Sequence, residues 1–428
     1  MAHTLPLGPV VVIGASAAGM AAAVAARRVD PKREVILLER MPYYAFASCG
    51  LPEVIKGNLP DITPLVHRNP QELGEKLGIT VLLQQEARRI NHGRRKLQVR
   101  NLLLDSEYEL DYSALVLATG ARPAPPGRTG YFTLRYPHEL DKLLGQLRDN
   151  SCRRVNVSGG GVLGLTLVDA LLSLGKEVHL YTRDTLLASF PPEISLLLVK
   201  LLEEHQVELH LQEQAPPGNR EELTLLAHGV EPHLPAGLRL GRDWDQGIPI
   251  DRSCRTEVEG IFACGDCARP RYAGRRAGAG GAATANRQGK VAGANAAGGK
   301  ERYNGVFAVL LEIAGLEVGR AGFTLAQLKQ ERQPVASVSG NFRLLPPWLG
   351  ASDLFMRLDY RPASGEILAF HAIGVRGVGS RINQVAGWIQ ADVTLSRLHN
   401  LEQAYHPRYS AVTDPLVALL ARTGKGVK

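Results

Sequence analysis

The sequence predicts an α/β protein in which one strand–turn–helix–strand unit occurs twice and a third domain follows. Residues 10–19 read VVVIGASAAG and residues 155–164 read VNVSGGGVLG, so each is a β-branched run that ends in a turn of small residues. A helical stretch follows each turn, and a second strand comes next, EVILLE at 34–39 and EVHLY at 177–181. Helices that alternate with short buried strands indicate parallel sheets. From about Tyr303 the pattern changes to mixed strands and helices, which predicts the third domain.

Length and composition limit the possible classes of protein. A chain of 428 residues normally forms two or three domains, and 45% hydrophobic with 21% charged residues is typical of a globular protein. The net charge of +8 suits a protein that binds anionic small molecules, but no basic stripe is interleaved with aromatic residues, so nucleic acid is not expected as a partner. No apolar run reaches the ~18 residues that span a bilayer, so we expect no membrane segment.

Cysteine usage and the N-terminus indicate the compartment. Five cysteines without the spacing of a disulfide framework are typical of free thiols in a reducing environment. The segment MAHTLPLGP lacks the basic and apolar regions of a signal peptide. We therefore expect a cytoplasmic protein.

The first small-residue turn predicts a dinucleotide site. Its residues match G-x-G-x-x-G except that Ser16 replaces the middle glycine, and small residues there allow the backbone to approach a pyrophosphate at the helix N-terminus. Glu39 ends the next strand, where a carboxylate would accept the ribose hydroxyls. A simple tight turn is the alternative, but strand, turn, helix, strand and acid all occur in order. The predicted residues of this site are Gly14, Ser16, Ala18, Gly19, Glu39 and Arg40.

The second turn predicts another dinucleotide site with a different preference. Gly159, Gly161 and Gly164 fit the glycine pattern without substitution. The following strand ends in Tyr-Thr-Arg-Asp with no carboxylate at the usual position, and Arg183 there would suit a 2′-phosphate, so NADPH is preferred over NADH. The alternative is that Arg183 is an ordinary surface charge. Two dinucleotide sites beside a candidate reactive cysteine indicate electron transfer from nicotinamide to a flavin and on to sulfur.

Cys49, in the stretch YYAFASCGLP at 43–52, is the candidate reactive thiol. A buried structural cysteine is the alternative, because free cysteine is among the most buried residue types. Cys264 and Cys267 have C-x-x-C spacing, but no second pair or histidine cluster accompanies them, so we expect neither zinc nor dithiol chemistry there. Cys152 and Cys254 have no motif around them.

With these motifs the chain resembles, over nearly its whole length, the single-cysteine branch of the pyridine nucleotide–disulfide oxidoreductase superfamily. LVLATGARP at 115–123 resembles the family's crossing between its nucleotide domains, and GIFACGDCA at 260–268 resembles its second flavin signature. ANRQG at 285–289 resembles the helix that packs by the flavin. The resemblance implies further cofactor-binding residues, namely Ala118, Thr119, Gly120, Gly265, Asp266 (on the ribityl chain) and Ala283.

The resemblance also implies the domain organisation. We expect two Rossmann-like dinucleotide-binding domains, for FAD and for NADPH or NADH, plus a C-terminal α+β dimerisation domain. The FAD domain would be discontinuous, at 1–125 and 245–302, around an NAD(P)H domain at 126–244. Residues 303–428 would form the dimerisation domain of a homodimer.

The stretch AFASCGLP resembles the active site of coenzyme A disulfide reductases and of NADH oxidases or peroxidases. The resemblance implies that Cys49 faces the flavin and cycles between a thiolate and a mixed disulfide or sulfenic acid. It implies that Tyr405, within AYHPRYSAV at 404–412, reaches across the dimer to protonate the departing thiolate. Substrate contacts are expected from Arg28, which matches a position that binds coenzyme A phosphates, from Ser48 and, more weakly, from Arg68.

Three functions remain open at this point. The leading hypothesis is an FAD-dependent NAD(P)H:disulfide or sulfur oxidoreductase that reduces coenzyme A disulfide, coenzyme A persulfide or polysulfide. An NADH oxidase or peroxidase that cycles through a Cys49 sulfenic acid is second, because Ala17 stands where those enzymes usually carry a histidine. An electron-transfer reductase or redox sensor acting on a partner protein is third. It is favoured by a short segment at 212–229 and by Trp348 in place of a family tyrosine.

Overall fold

The structure is a computed structural model of the chain. It describes residues 8–67, 69–123, 130–149, 152–219, 221–241, 244–271, 281–350, 352–398 and 400–425. Arg68, one of the predicted substrate contacts, lies outside the described residues.

Helices are interspersed among strands through the first two thirds of the chain, and strands dominate the last third. Up to residue 123 they are β1 (Val10–Ile13), α1 (Ala17–Val29), β2 (Val35–Glu39), α2 (Leu51–Ile55), α3 (Pro70–Leu77), β3 (Ile79–Leu83), β4 (Gln85–Asn91), β5 (Lys96–Asn101), β6 (Ser106–Asp111), β7 (Ala114–Leu117) and β8 (Ala121–Pro123). From there to residue 302 they are α4 (Pro137–Arg148), β9 (Arg154–Ser158), α5 (Val162–Ser173), β10 (Glu177–Thr182), α6 (Pro192–Glu204), β11 (Glu208–Leu211), β12 (Glu222–Leu226), β13 (Val230–Pro232), β14 (Ile248–Ile250), β15 (Ile261–Ala263), β16 (Ala268–Pro270) and α7 (Ala282–Ala296). The remainder contains β17 (Ala308–Ile313), β18 (Leu316–Gly322), α8 (Leu325–Lys329), β19 (Ala336–Leu345), β20 (Ser352–Tyr360), β21 (Ile367–Gly374), α9 (Val378–Gln390) and α10 (Pro415–Ala421).

The N-terminal sheet is parallel, with the strand order β15-β7-β1-β2-β3. Strand β1 is buried along its whole length, as expected for a parallel strand covered on both faces. Helices α1 and α7 pack very closely, since a Cβ on Gly289 would lie 2.1 Å from the Ala18 carbonyl oxygen and one on Gly293 only 1.9 Å from that of Ala22. This close contact explains the Gly/Ala composition of α7.

The middle sheet is also parallel, with the order β11-β10-β9-β12. Val155, Val157, Val178 and Leu180 are fully buried and belong to one apolar core that also includes α4, α5 and α6. The alternate positions are polar. Across strands β9, β10 and β11, register partners at these positions form two rows of neighbouring side chains, Asn156–His179–Glu208 and Ser158–Tyr181–His210.

The C-terminal sheet is antiparallel, with the order β17-β18-β21-β20-β19. Its central strand β21 is wholly buried, and helices α9 and α10 share its apolar core. Two parallel α/β units followed by an α+β unit confirm the predicted fold class. The exact domain boundaries remain a prediction. Among the described residues, no helix combines the length and the apolar character that a bilayer crossing requires.

Candidate functional site

The loop that carries Cys49 is held to its surroundings by backbone hydrogen bonds. The Ala45 N–H donates to the Ala15 carbonyl at 2.7 Å, and the Ala47 N–H donates to the Leu65 carbonyl at 2.9 Å. Ala45 has φ of +52°, a left-handed conformation that costs a non-glycine residue roughly 1 kcal/mol. Cys49 follows in the short 3-10 turn Ser48–Gly50, directly before α2. Such local strain is typical of loops that position a functional group.

Ser16 joins this loop to the first glycine turn. Its hydroxyl donates to the Phe46 carbonyl at 3.0 Å, and Ser16 stands at the N-cap of α1 without capping the helix through its side chain. The serine that departs from the glycine pattern therefore fastens the turn to the segment preceding Cys49.

The five cysteines, all of them in the described part of the chain, differ sharply in exposure. Cys49 is exposed, whereas the other four are buried. Burial raises the pKa of Cys152, Cys264 and Cys267, and raises that of Cys254 to about 12. Because the thiolate is the nucleophile and the metal ligand, burial disfavours the reactive form of these four thiols. Cys49 is therefore the thiol that solvent and a substrate can reach.

A narrow cleft of 140 Å³ lies at the first glycine turn, at the carboxyl ends of β1, β2 and β7. Glu39 orients its carboxylate there, since one oxygen accepts from the Ala15 N–H at 2.8 Å and the other from the Met41 N–H at 3.0 Å. Burial raises the pKa of Glu39 despite these hydrogen bonds. The predicted residues that line this cleft are Gly14, Ser16, Glu39, Arg40, Ser48, Ala118, Thr119 and Gly120.

Gly14 and Gly19 make the close approach at this turn possible. Gly14 has φ of +99°, and a Cβ there would lie 2.4 Å from the Ala118 carbonyl oxygen. A Cβ on Gly19 would lie 1.7 Å from the Gly14 carbonyl oxygen. The turn and the crossing at residues 118–120 are thus in contact, and they leave an open backbone edge of the kind a pyrophosphate requires.

Three residues of the narrow cleft were missed by the sequence interpretation. The Tyr136 hydroxyl oxygen accepts a hydrogen bond from Arg40 Nη2 at 3.0 Å, and His233 Nε2 lies 3.4 Å from Arg40 Nη1. Arg135 pairs with Asp266, with Nη2 3.3 Å from Oδ2. Burial, helped by the charges of Arg40 and Arg122, lowers the pKa of His233. These residues lie between the motifs, where no spacing rule identifies them.

A wide cleft of 1370 Å³ joins the Cys49 loop to the second glycine turn. It exceeds the roughly 300–1,000 Å³ of ordinary ligand sites, so it has room for more than one ligand group. Ser48 and Arg135 line both clefts, which therefore meet beside Cys49. The predicted residues that line the wide cleft are Ser48, Cys49, Gly159, Gly161, Arg183 and Asp266.

The second glycine turn repeats the geometry of the first. Gly159 has φ of +127°, and a Cβ on Gly164 would lie 1.7 Å from the Gly159 carbonyl oxygen. A Cβ on Gly161 would meet no atom of the described residues within 4 Å, so that position opens into the cleft. Arg183 is exposed at the end of β10, and its charge adds to burial in lowering the pKa of His228.

Glu53 of α2 and Lys56, the C-cap residue of that helix, also line the wide cleft. Lys56 Nζ lies 2.5 Å from Asp169 Oδ2, and Asp169 Oδ1 accepts from the Ala314 N–H at 2.7 Å. This chain of contacts links α2, α5 and the C-terminal sheet around the cleft. No motif of the sequence identifies Lys56.

Seven of the predicted residues that the structure describes line neither cleft of the single chain. Four of them are buried, namely Ala18, Gly19, Gly164 and Gly265. Arg28 is exposed in the last turn of α1, and Ala283 is exposed at the start of α7. Tyr405 is 52% exposed in the C-terminal segment. The predicted role of Tyr405 requires a second chain, so the single chain leaves it untested. Other large exposed side chains of this domain are Trp348, Tyr409 and Val412.

The residues present fit two dinucleotides. Each βα turn has a positive-φ glycine and a second glycine whose Cβ would overlap backbone, which is the condition for a close backbone approach. The first turn adds the oriented carboxylate of Glu39, and the second adds the open position at Gly161 and the guanidinium of Arg183. FAD fits the first turn, and NAD(P)H fits the second.

Comparisons with known proteins agree with this arrangement. The family model described as pyridine nucleotide-disulphide oxidoreductase matches residues 8–289, and the dimerisation-domain model of the same family matches residues 312–415. A CoA-dependent NAD(P)H sulfur oxidoreductase of Pyrococcus abyssi is 29% identical over 96% of this chain and 97% of that protein. A coenzyme A disulfide reductase of Staphylococcus aureus is 26% identical over 95% and 97%. An NADH oxidase of Methanocaldococcus jannaschii is 25% identical over 95% and 96%.

Solved structures support the fold. A NAD-dependent persulfide reductase from A. fulgidus has a TM-score of 0.88 at 26% identity, covering 97% of this chain and 83% of that one. Reduced Bacillus anthracis CoADR-RHD has a TM-score of 0.91 at 24% identity, covering 99% and 81%, and shows the fold alone. These comparisons confirm the predicted family, the fold class and the cofactor pair. The chain belongs to the pyridine nucleotide-disulphide oxidoreductase family, as an oxidoreductase that uses FAD and NAD(P)H.

Proposed function

We propose that this protein reduces the sulfur–sulfur bond of a small disulfide or persulfide carried by coenzyme A, with Cys49 as its single redox cysteine. One observation carries the proposal: Cys49 is the exposed thiol of the chain, and it lines the same cleft as the second glycine turn. The names of the relatives, which act on sulfur and coenzyme A compounds, support it.

The chemistry balances with one thiol. The Cys49 thiolate attacks one sulfur of the substrate disulfide, the substrate S–S bond breaks, and a mixed disulfide forms as the first coenzyme A leaves as a thiolate. Bound FAD would carry two electrons from NAD(P)H to this mixed disulfide, in keeping with flavin chemistry. The second coenzyme A is then released and the Cys49 thiolate is restored. Overall, NAD(P)H, one proton and one disulfide give NAD(P)⁺ and two thiols.

Residues of the chain have defined tasks in this proposal. Ser48 and Arg135, which line both clefts, border the space where the substrate sulfur meets Cys49. The pair Lys56–Asp169 fixes α2 behind the thiol. Arg28, which lies outside both clefts of a single chain, is proposed to bind coenzyme A phosphates, and Arg68 is proposed as a weaker anion contact. Arg183 favours NADPH through its charge.

The protein is further proposed to act as a homodimer. Support comes from the match to the dimerisation-domain model and from Trp348, Tyr405, Tyr409 and Val412, whose large side chains are 52–79% exposed in one chain. Exposed apolar surface of this kind is typical of interaction sites. In the dimer, Tyr405 of the second copy would donate the proton to the departing thiolate.

Intact mass under denaturing, non-reducing conditions tests the role of Cys49. Wild-type protein treated with coenzyme A disulfide should gain one coenzyme A, Cys49→Ser should gain none, and the matched control Cys152→Ser should behave as wild type. An adduct that persists in Cys49→Ser would contradict the proposal. Wild-type protein that gains no coenzyme A would contradict it as well.

Steady-state assays separate the alternatives. NADPH oxidation should depend on coenzyme A disulfide or persulfide and should yield two thiols for each disulfide reduced. Rapid oxygen or peroxide consumption with a mass gain of oxygen on Cys49 would instead support the NADH oxidase or peroxidase hypothesis. Turnover that appears only when a protein partner is added would support the electron-transfer hypothesis.

A further inference from the structure

A cluster of histidine and glutamate side chains lies on the polar face of the middle sheet. His179 is on β10, and Glu208 and His210 are on the neighbouring strand β11. His179 and Glu208 are register partners, and His210 is the partner of Tyr181. We call these three residues the His179 cluster. Among the described residues, no other group of three such side chains brings its potential ligand atoms as close together.

The distances in the cluster suit a single ion. His179 Nδ1 lies 3.0 Å from His210 Nε2, and Glu208 Oε1 lies 3.3 Å from the same nitrogen. Two ligand atoms at 2.0–2.1 Å from a tetrahedral zinc ion are about 3.4 Å apart, so small movements of these side chains would complete the geometry. Nitrogen and carboxylate oxygen together are donors that zinc accepts.

The outer nitrogen of each ring faces a further carboxylate. His179 Nε2 lies 3.0 Å from Glu177 Oε1, and His210 Nδ1 lies 3.5 Å from Glu213 Oε2. Metal-binding histidines usually donate their outer N–H to such a carboxylate, which fixes the tautomer and directs the inner lone pair at the metal. With both outer nitrogens protonated, the two inner lone pairs would face each other at 3.0 Å. A cation between them removes that repulsion.

Charge and burial also favour a cation. The carboxylates of Glu177, Glu208 and Glu213 surround the two rings, and Arg154, which pairs with Glu177 at 2.8 Å, is the one guanidinium bonded to this group in the described structure. The side chain of His179 is 6% exposed and that of His210 19%, whereas Glu208 is 61% exposed. The rings are therefore held in the protein while the third ligand keeps contact with solvent.

We propose that the His179 cluster binds one divalent first-row transition-metal ion, with Zn²⁺ as the probe, through His179, His210 and Glu208 and a fourth position for water. The ion would tie the edge strand β11 to β10 through side chains. It would also stiffen one wall of the nucleotide cleft, because Tyr181, which lines that cleft, stacks on His210 with ring centroids 4.1 Å apart. This proposal does not depend on the substrate of Cys49.

Zinc titration of the FAD-bound protein tests the site. The titration is carried out in the Cys49→Ser background, because the exposed thiol is itself a zinc ligand. Calorimetry should give one Zn²⁺ per chain, and Co²⁺ should give the visible absorption of a four-coordinate ion. His210→Ala should weaken Zn²⁺ binding at least a hundredfold, and Glu213→Gln about tenfold. The matched control is His205→Ala, an exposed histidine at the end of α6, which should leave the affinity unchanged.

Two results would overturn the proposal. One is equal Zn²⁺ affinity in the parent protein and His210→Ala. The other is the absence of stoichiometric binding in the parent, which would identify the ring contact as a simple imidazole–imidazole hydrogen bond. Flavin absorbance and circular dichroism check that each variant is folded. If His210→Ala is not folded, Glu208→Gln takes its place, because it changes one exposed ligand atom and should lower the affinity at least tenfold.

Discussion

The two glycine turns of this protein share one backbone geometry and differ in the side chains around it. Gly14 and Gly159 both have positive φ, and in both turns the last glycine would place a Cβ 1.7 Å from the carbonyl oxygen of the first. The first turn, however, has Ser16, while the second has Gly161 at the equivalent position. The backbone of the unit defines the binding of a dinucleotide, and the variable side chains determine what else each turn does.

At the first turn, those side chains connect the turn to the loop that carries the thiol. Ser16 bonds the segment before Cys49, and Glu39 turns its carboxylate to the narrow cleft. At the second turn, Gly161 is open and Arg183 is exposed in the wide cleft. The first arrangement suits a cofactor that stays bound, and the second suits a ligand that enters and leaves.

The largest expected effect comes from the equivalent glycines. Gly19→Ala should yield protein with little flavin, and Gly164→Ala should retain flavin but bind NADPH at least a hundredfold more weakly, because overlap with a backbone carbonyl oxygen costs about 3 kcal/mol or more. Flavin absorbance per chain and NADPH titration measure the two effects. Gly145→Ala in α4, where a Cβ has free space, is the control. Loss of the same ligand in both variants would contradict the separation of the sites.

Glu39→Gln should come next. The amide retains one acceptor but loses the charge and one of the two hydrogen bonds, from Ala15 or Met41, so FAD binding should weaken by about 1.5–3 kcal/mol. Dialysis against flavin-free buffer followed by fluorescence of the released FAD measures the change. An unchanged affinity would show that Glu39 only shapes the turn.

The same variant has a pH signature in the flavin-free protein. Burial raises the pKa of Glu39 above its unfolded value of about 4.5, so the folded state binds the proton more tightly. The free energy of unfolding should therefore fall as the pH rises from the unfolded pKa through the folded one. This decrease should be absent from Glu39→Gln. Urea midpoints across that range, compared between the two proteins, provide the measurement.

Arg183→Ala should have a smaller effect, confined to the second turn. Loss of an exposed guanidinium should reduce the preference for NADPH over NADH by about fivefold to tenfold, roughly 1 kcal/mol, and leave kcat/KM with NADH unchanged. Lys200→Ala, a cation on the exposed side of α6, is the control. An equal loss with both nucleotides would show that Arg183 contacts their common part.

Ser16→Ala should have the smallest effect, because one exposed hydrogen bond is worth about 0.5–1.5 kcal/mol. Thermal unfolding should shift by a few degrees at most, and alkylation of Cys49 should become faster as the loop loosens. The reverse exchange, Gly161→Ser, should leave Cys49 alkylation unchanged. Equal alkylation rates in wild type and Ser16→Ala would mean that the other loop contacts suffice.

The sequence predicted those parts of the structure that depend on short-range patterns. Each glycine turn, Glu39 and the Cys49 loop have a recognisable spacing, because the turn conformation restricts the residue types that fit. Arg135, Tyr136, His233 and Lys56 were missed because they reach the clefts through long-range packing, and no local pattern marks such a residue. Asp266, which the resemblance identified through a short motif, lines the wide cleft, and its contact with the ribityl chain of FAD stays a prediction.

The His179 cluster was missed for a related reason. Its two histidines lie 31 residues apart and meet only through the register of β10 and β11. Alternating positions of buried parallel strands are normally apolar, so a polar face on such a strand is visible only once the register is known. Tyr405 represents the opposite limit, because its predicted role depends on a second chain.

The hydrogen bonds of the Cys49 loop indicate whether the thiol or its substrate moves during turnover. The loop is held by backbone hydrogen bonds to Ala15 and Leu65 and by the Ser16 hydroxyl. We therefore expect the Cys49 thiol to stay in place and not to move through several ångströms. The substrate must therefore bring its sulfur to Cys49. A long, flexible thiol can bring its sulfur to a cysteine that does not move, whereas a disulfide embedded in a rigid protein surface cannot. The loop would thus select substrates by their shape.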